Sequence, residues 1–442
     1  MSTASVGAEW SATARLLRRA GFGATGAEID AAVAQGASAW LSAALASDPE
    51  KDPGALRTPV PSFETLPRPG KAAAPADKKA RNQKIAAQNT QLTAWWLRRM
   101  VAVESPLGEK LTFGWHNHFA TSESKVRVPS SMLAQNTTLR RMGRGSFTAL
   151  AEAMATDAAM LRWLDGNSST AKAPNENLSR EFMELFALGH GDGYTEYSEQ
   201  DVREGARALT GWTIGRDGAV QFVASRHDDG VKTVLGQTGP LDMKGFVEAV
   251  LGRPGSPAFL VTRWWQLLVA PTPPPPASLQ RAVAAYGTGR DLKAMFAAIL
   301  SDPELAVQSG TLVVTPVEWL VGAVRALRVP VDDDSAQKLT PVFRALGQIP
   351  FYPPSVAGWP SGQAWLSTAS AQTRFGAATR LAAAGNLDSI EKAEVGSRVE
   401  AVRHLLGIPT LSDRTVVALR TAAKDPQRLV ATALVSPEYL VN

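Results

Sequence analysis

Apolar residues recur every three or four positions along most of the chain, which is the spacing of an amphipathic α-helix. This spacing predicts helices at about 14–20, 27–35, 38–47, 80–104, 106–118, 129–142 and 147–156. Two more helices are expected within 175–189 and 198–212, and helices resume after residue 239. The expected fold class is mainly α, a multi-helical single domain over residues 1–442.

Four segments interrupt the helical spacing. Residues 49–79 are rich in proline and predict a loop or linker, and PTPPPP at 271–276 predicts a rigid extended spacer. Residues 211–239 alternate between apolar and polar positions around glycine-rich turns, which predicts a β-hairpin insertion or small sheet. A loop rich in proline and glycine at 347–362 precedes the last helices.

The composition is that of a packed globular protein. The chain has 442 residues, of which 45% are hydrophobic and 20% charged, with a net charge of +5. Short basic pairs such as 18–19, 98–99 and 140–141 are interpreted as solvated helix faces rather than a nucleic-acid-binding surface. No nucleic acid partner is therefore expected.

Several chemistries and locations are disfavoured by what the sequence lacks. Without cysteine there are no disulfides, thiolate zinc sites, cysteine-bound iron–sulfur clusters or cysteine nucleophiles. The sequence contains no run of about 18 apolar residues, so no membrane-spanning helix is predicted. No signal peptide is recognisable, so a cytoplasmic protein is expected, or an exported one if an export signal precedes this sequence. No nucleotide- or flavin-binding glycine motif and no serine-hydrolase or zinc-protease motif occurs.

The segment FGWHNHFATSESK at 113–125 contains two of the five histidines. On a helix His116 and His118 would point about 200° apart, so they could not hold one ion together. In an extended segment they would share a face. Both aromatic packing and metal or acid–base chemistry remain open for this pair.

A second polar cluster lies in PNENLSREFMELFALG at 174–189. Asn175 is a candidate N-cap, and Glu176 and Arg180 have the four-residue spacing of a helical ion pair. Glu181 borders the apolar face, where a partly desolvated carboxylate needs a cation, a metal or hydrogen bonds. A buried ion pair with an arginine is the alternative to a metal ligand.

Two loop segments carry further candidates. His227 and Asp228 adjoin in RHDDG, which is compatible with a metal or acid–base site and with a plain turn. Asp165 in RWLDGNSS is a loop carboxylate for which a turn-forming role is the simpler interpretation.

Several segments together resemble the bacterial family called domain of unknown function 1800 (DUF1800). They are ARLLRRAGFGAT, FGWHNHFATS, LRWLDGNSS, PNENLSREFMELFALG, YSEQDVREGARALTGW, HDDGVKTVLG, FLVTRWWQLLV, TPVEWLVGAVRAL, PPSVAGWPSGQAWLS and SPEYLVN. The resemblance implies a largely α-helical protein. Many members are exported and encoded near a sulfatase- or phosphatase-like protein, which this resemblance implies as a partner. The lack of a recognisable export signal puts that partner and that location in doubt.

The resemblance favours grouping the polar motif residues into one site. The hypothesis is a metal-dependent enzyme, most simply a hydrolase of unknown substrate, with a divalent ion such as Zn, Fe or Mn. The candidate metal ligands are His116, His118, Glu181, His227 and Asp228. The candidate catalytic residues are Glu184, Arg180 and Asp165, and the candidate substrate-binding residues are Asn175, Asn177 and Arg203. The alternative is a non-catalytic helical binding or scaffold protein whose polar motifs form a buried structural network.

Overall fold

The computed structural model describes residues 7–66, 72, 74–189, 196–307 and 312–442, and it confirms a mainly α protein. The helices of the first half are α1 (Ala8–Ala20), α2 (Gly26–Gln35), α3 (Ala37–Ala46), α4 (Pro53–Leu56), α5 (Pro75–Ala102), α6 (Leu107–His118), α7 (Glu123–Val126), α8 (Pro129–Met142), α9 (Phe147–Ala155), α10 (Ala158–Trp163), α11 (Glu176–Glu181) and α12 (Glu199–Ala208). A π-helix, Phe182–Ala187, directly continues α11.

The second half is also helical. Its helices are α13 (Met243–Leu251), α14 (Gly255–Leu268), α15 (Pro276–Tyr286), α16 (Leu292–Leu300), α17 (Pro303–Val307), α18 (Pro316–Ala326), α19 (Asp333–Leu346), α20 (Thr368–Ala384), α21 (Asp388–Glu391), α22 (Arg398–Leu405), α23 (Asp413–Ala422), α24 (Pro426–Ala433) and α25 (Pro437–Leu440). Short 3-10 helices occupy Gly166–Ser168, Ala224–Arg226, Gly362–Trp365 and Val395–Ser397.

The predicted β insertion is present as two separate hairpins. Strands β1 (Trp212–Ile214) and β2 (Val220–Phe222) pair antiparallel, with Thr213 opposite Gln221. Strands β3 (Lys232–Val234) and β4 (Gln237–Gly239) form the second pair. The turn between β3 and β4 contains Gly236 at φ 85°, a backbone conformation that glycine adopts readily.

The expected loop at 49–79 is shorter than its proline content suggested. The 28-residue helix α5 begins at Pro75, inside the predicted loop, and Asp77 lies in its first turn. Proline is tolerated at the first helical position because the N–H it lacks would have no helical partner there. The proline therefore starts a helix instead of prolonging the loop.

Two clusters of buried side chains form the core, and α6 contributes to both. Leu111 and Trp115 belong to the first cluster, whereas Phe113 belongs to the second. The buried carboxylate of Glu109 anchors α6 by accepting hydrogen bonds from Arg99 Nε (2.7 Å) and Arg140 Nε (2.6 Å). Helix α6 thus connects the two clusters, as do α8 and α10.

No helix within the described ranges combines the length and the apolar character that a membrane crossing would need.

Candidate functional site

The three residues His116, Asn117 and His118 form the C-terminal end of α6, and each contacts a different segment. His116 Nε2 accepts a hydrogen bond from the Phe351 N–H (3.1 Å), and Asn117 Oδ1 accepts one from the Trp359 N–H (2.8 Å). His118 Nε2 lies 3.0 Å from the Phe186 carbonyl oxygen, to which it donates because a carbonyl only accepts. The helix separates the two imidazole rings, as its periodicity predicts.

Both histidines are neutral near pH 7. Burial lowers the pKa of His116 to about 3. Burial, reinforced by the nearby Arg263 cation, lowers the pKa of His118 to about 3 as well. Since Nε2 accepts in His116 and donates in His118, the two rings are opposite tautomers. In each ring, Nε2 is thus the nitrogen that forms the hydrogen bond to another segment.

The loop at 347–362 is held against the end of α6 by these contacts. Gly358 has φ 88°, and a Cβ on it would lie 2.4 Å from Asn117 Oδ1, so the loop passes too close for any side chain at this position. Phe351 adopts φ 69°, an uncommon conformation for a bulky residue, while its N–H bonds to His116. Backbone in this region is stabilised by its surroundings, and here the stabilising contact comes from α6.

The partner of His118 belongs to the π-helix. Within this helix the Leu188 N–H donates to the Met183 carbonyl at 2.8 Å, five residues back. Such one-turn π segments are rare and are frequent at functional sites. The contact between His118 and Phe186 joins the FGWHNHF segment to the end of the PNENLSREFMELFALG segment.

A cavity of about 230 Å³ opens beside this end of α6. His118 and Asn117 line it from α6, and Trp359 lines it from the 347–362 loop. Helix α14 contributes Arg263 and Trp264. The remaining walls come from the end of α1, from the start of α18 and from the C-terminal segment.

Basic side chains dominate the charge of the cavity wall. Arg18, Arg19, Lys110 and Arg263 line it, whereas Glu318 is the one carboxylate side chain among its described lining residues. Glu318 forms an ion pair with Lys110, which is almost fully buried. Basic side chains therefore outnumber carboxylate side chains in the described wall.

Arg18 and Arg19 donate to backbone oxygens rather than to carboxylate side chains. Arg18 Nη2 lies 3.3 Å from the Tyr439 oxygen, and Arg19 Nη1 lies 2.9 Å from the Val269 oxygen. Arg19 also donates to the Asn442 oxygen. Burial lowers the pKa of Arg18 to about 10 and, together with the adjacent Arg18, that of Arg19 to about 9. Both shifts reflect the cost of burying positive charge.

These basic residues were missed at the sequence level. The interpretation of the pair 18–19 as a solvated face is wrong, because Arg18 is 5% and Arg19 is 3% exposed. Arg99 and Arg140 are buried too, so three of the basic pairs place an arginine inside. Consecutive residues on a helix point about 100° apart. A basic pair on an otherwise apolar helix can therefore turn one or both members inward.

The predicted site residues of the PNENLSRE segment lie on and near α11, largely at the surface. Asn175 Oδ1 caps the helix by accepting the Asn177 N–H (2.9 Å). Arg180 pairs with Glu176 (3.0 Å) and Glu199 (2.6 Å), so the predicted four-residue pair is present. The side chain of Asn177 is exposed.

Glu181, for which a buried ion pair with an arginine was the alternative, forms no such pair with the described residues. Glu181 is half-buried and makes no hydrogen bond to the residues that the structure describes. Burial, with Glu184 nearby, raises its pKa. Glu184 Oε2 accepts a hydrogen bond from the Tyr197 hydroxyl at 3.4 Å. Arg203, predicted to bind substrate, is exposed and donates to Gln200 (2.9 Å).

The candidate site residues in loops form local contacts there. Asp228 accepts from Arg207 Nε (2.7 Å) and from the Gly230 N–H (3.0 Å). His227 Nδ1 lies 2.9 Å from the Thr210 carbonyl oxygen. Asp165 has φ 58° and pairs with Lys125 (2.7 Å).

If the predicted ligands bind one metal ion together, their ligand atoms must lie close to a common point. Three ligand atoms must lie about 2–2.5 Å from a common point. Within the described parts of the chain, no group of three or more His, Asp or Glu side chains is arranged to hold a metal ion. The five predicted ligands are instead distributed over α6, α11 and the loop before β3. Within the described residues, the five predicted ligands are therefore not gathered around one point.

The chain was compared with known families, curated proteins and solved structures. The profile of the family described as protein of unknown function (DUF1800) matches residues 15–441. No curated protein and no solved structure matches the chain.

Proposed function

For this chain, which belongs to the DUF1800 family of proteins of unknown function, we propose that it binds a small ligand in the cavity beside the end of α6. The observation that supports this proposal is that several segments, distant in the sequence, meet at this cavity. Six of the segments that resemble the family line this one cavity. They are ARLLRRAGFGAT, FGWHNHFATS, FLVTRWWQLLV, TPVEWLVGAVRAL, PPSVAGWPSGQAWLS and SPEYLVN.

Packing alone would not require these segments to share a void. Six segments that are distant in the chain surround an opening of about 230 Å³ instead of closing it with side chains. Protein interiors are close-packed, and voids larger than a water molecule are few per domain. A cavity with aromatic walls and a few polar groups is the usual form of a small-molecule site.

The test is a ligand screen with a variant that fills the cavity. Ser361 lines the cavity, is exposed and makes no side-chain hydrogen bond to the described residues, so Ser361→Trp blocks the opening without removing a contact. Ser397→Trp is the matched control, because Ser397 is exposed and does not line the cavity. A library of small metabolites is screened by thermal shift on the native protein, and binding is then measured by calorimetry on all three proteins.

We expect compounds whose affinity falls at least tenfold in Ser361→Trp and stays native in Ser397→Trp. The proposal is overturned if no compound binds, or if every bound compound keeps its native affinity in Ser361→Trp.

The metal-dependent hydrolase inferred from the sequence stays a prediction. Its test is elemental analysis of protein purified without chelators, repeated on His118→Ala and Glu181→Ala. A metal content that both substitutions lower would support the hydrolase, and a content that neither changes would contradict it.

A further inference from the structure

One arginine of the cavity wall has no hydrogen-bond or ion-pair partner among the described residues. Arg263 lies on α14, lines the cavity and forms no hydrogen bond or ion pair with any residue that the structure describes. It is half-buried, and burial lowers its pKa. A half-buried guanidinium without an acceptor is unusual, because burying a charge is costly unless the charge is paired.

The groups around Arg263 strengthen this positive character. Arg18 and Arg19 carry two further positive charges whose hydrogen bonds go to backbone oxygens, and Lys110 forms an ion pair with Glu318. His118 stays neutral beside Arg263, so its ring adds no charge to the cavity. The described side chains therefore leave the cavity with a net positive charge, which favours an anionic occupant.

The other walls determine what kind of anion fits. Large aromatic rings line the cavity, namely Phe22, Trp264, Trp319 and Trp359. Such rings bury apolar area and do not solvate a free inorganic ion. The opening of about 230 Å³ is small even against the usual range of about 300–1,000 Å³ for ligand pockets. An organic body of about one ring is the size that the walls can enclose.

We propose that the ligand of this cavity is a small organic anion, a carboxylate or phosphate with an apolar or aromatic body, whose acidic group is bound by Arg263. The inference rests on the proposed function, since it names the chemical class that the cavity takes. An arginine forms two parallel hydrogen bonds to a carboxylate or phosphate, and the aromatic walls cover the rest of the molecule.

The experiment uses probes that differ in charge but share one ring. Benzoate and phenyl phosphate are the anionic probes, benzamide is neutral, benzylamine is cationic, and inorganic phosphate lacks the apolar body. Binding to the full chain is measured by calorimetry at two salt concentrations. The variants are Arg263→Gln, Arg263→Lys and, as control, Arg414→Gln at an exposed arginine outside the cavity.

We expect benzoate or phenyl phosphate to bind at least tenfold more tightly than benzamide and benzylamine, and more tightly than inorganic phosphate. Arg263→Gln should lower that affinity at least tenfold, Arg263→Lys should restore part of it, and Arg414→Gln should leave it unchanged. Because Arg263 makes no contact that the fold depends on, the thermal midpoint without ligand should stay within a few degrees of native.

The outcomes separate this inference from the proposed function. If neutral or cationic compounds bind and Ser361→Trp blocks them, the cavity is a ligand site but the anion inference is overturned. The same conclusion holds if anions bind equally well to Arg263→Gln. If no probe or library compound responds to Ser361→Trp, the proposed function itself fails. Inorganic phosphate binding as tightly as phenyl phosphate would refute the role of the aromatic walls.

Discussion

The buried ion cluster on α6 gives the sharpest test of the described fold. Glu109 is 1% exposed and accepts hydrogen bonds from Arg99, Arg140 and Trp96 Nε1 (2.8 Å). Glu109→Gln keeps the size of the side chain but removes the negative charge. Two guanidinium groups would then remain buried without a carboxylate, and an amide N–H₂ would face them.

The magnitude follows from the pKa of this carboxyl. Burial opposes the charged form, but Arg140 and Arg99 overcome it and lower the pKa of Glu109 from 4.5 to about 2. At about 1.4 kcal/mol per pKa unit, this corresponds to about 3 kcal/mol in favour of the ionised form. Removing one partner of a buried ion pair typically costs about 3–5 kcal/mol. We therefore expect Glu109→Gln to lose about 3–5 kcal/mol of unfolding free energy at pH 7.

The assay is urea unfolding followed by circular dichroism, with Glu104→Gln as control. Glu104 meets Arg57 at 3.5 Å with both side chains more than half exposed, so its loss should cost less than about 1 kcal/mol. Because the folded pKa is lowered, the stabilisation is present above about pH 4.5 and is lost as the pH falls toward 2. The difference in unfolding free energy between the native protein and Glu109→Gln should therefore decrease as the pH falls over this range. A loss below about 1 kcal/mol at pH 7 would refute the reasoning.

Three further predictions concern the end of α6 and its surroundings. Asn117→Ala removes the acceptor of the Trp359 N–H and should lower the free energy of unfolding in urea by about 1–2 kcal/mol. Asn117→Asp keeps an acceptor and should lower it less, and equal losses in the two variants would contradict the contact. In NMR titrations, the rings of His116 and His118 should not titrate between pH 8 and 5, since burial lowers both pKa values to about 3; a midpoint near 6.5 for either ring would contradict this burial. Burial raises the pKa of Glu123 to about 7, so its contribution to stability falls as the pH rises from about 4.5 to 7. Glu123→Gln should be about 1–3 kcal/mol more stable than native at pH 8 and lose this pH dependence, which chemical unfolding at several pH values would measure.

Residues that interact within one helical turn were predictable from the sequence. The N-cap role of Asn175 and the pair of Glu176 with Arg180 are both present. The angular separation of His116 and His118 also follows from the helical spacing and is reflected in their different partners. All of these depend on the relative orientation of residues at most four positions apart, which the helix itself determines.

Residues that act across the fold were not predictable in the same way. The sequence marked the two arginines at 18–19 as surface charge, but they reach carbonyls more than 240 positions away, at Val269 and Tyr439. The hairpin residues His227 and Asp228 turn toward Thr210 and Arg207 and not toward α6. A helical pattern tells which residues share a face, but it does not tell which segment covers that face.

The sequence by itself therefore determined the helical class, the β insertion, the family and the chemistry that a chain without cysteine excludes. Each of these depends on composition, local periodicity or motif order along the chain. Only the tertiary structure decided that six motif segments surround one cavity and that Arg263 in its wall has no ion-pair partner among the described residues. The physical reason is that burial and pairing depend on long-range packing, which brings together α1, α6, α14 and α18 from distant parts of the chain.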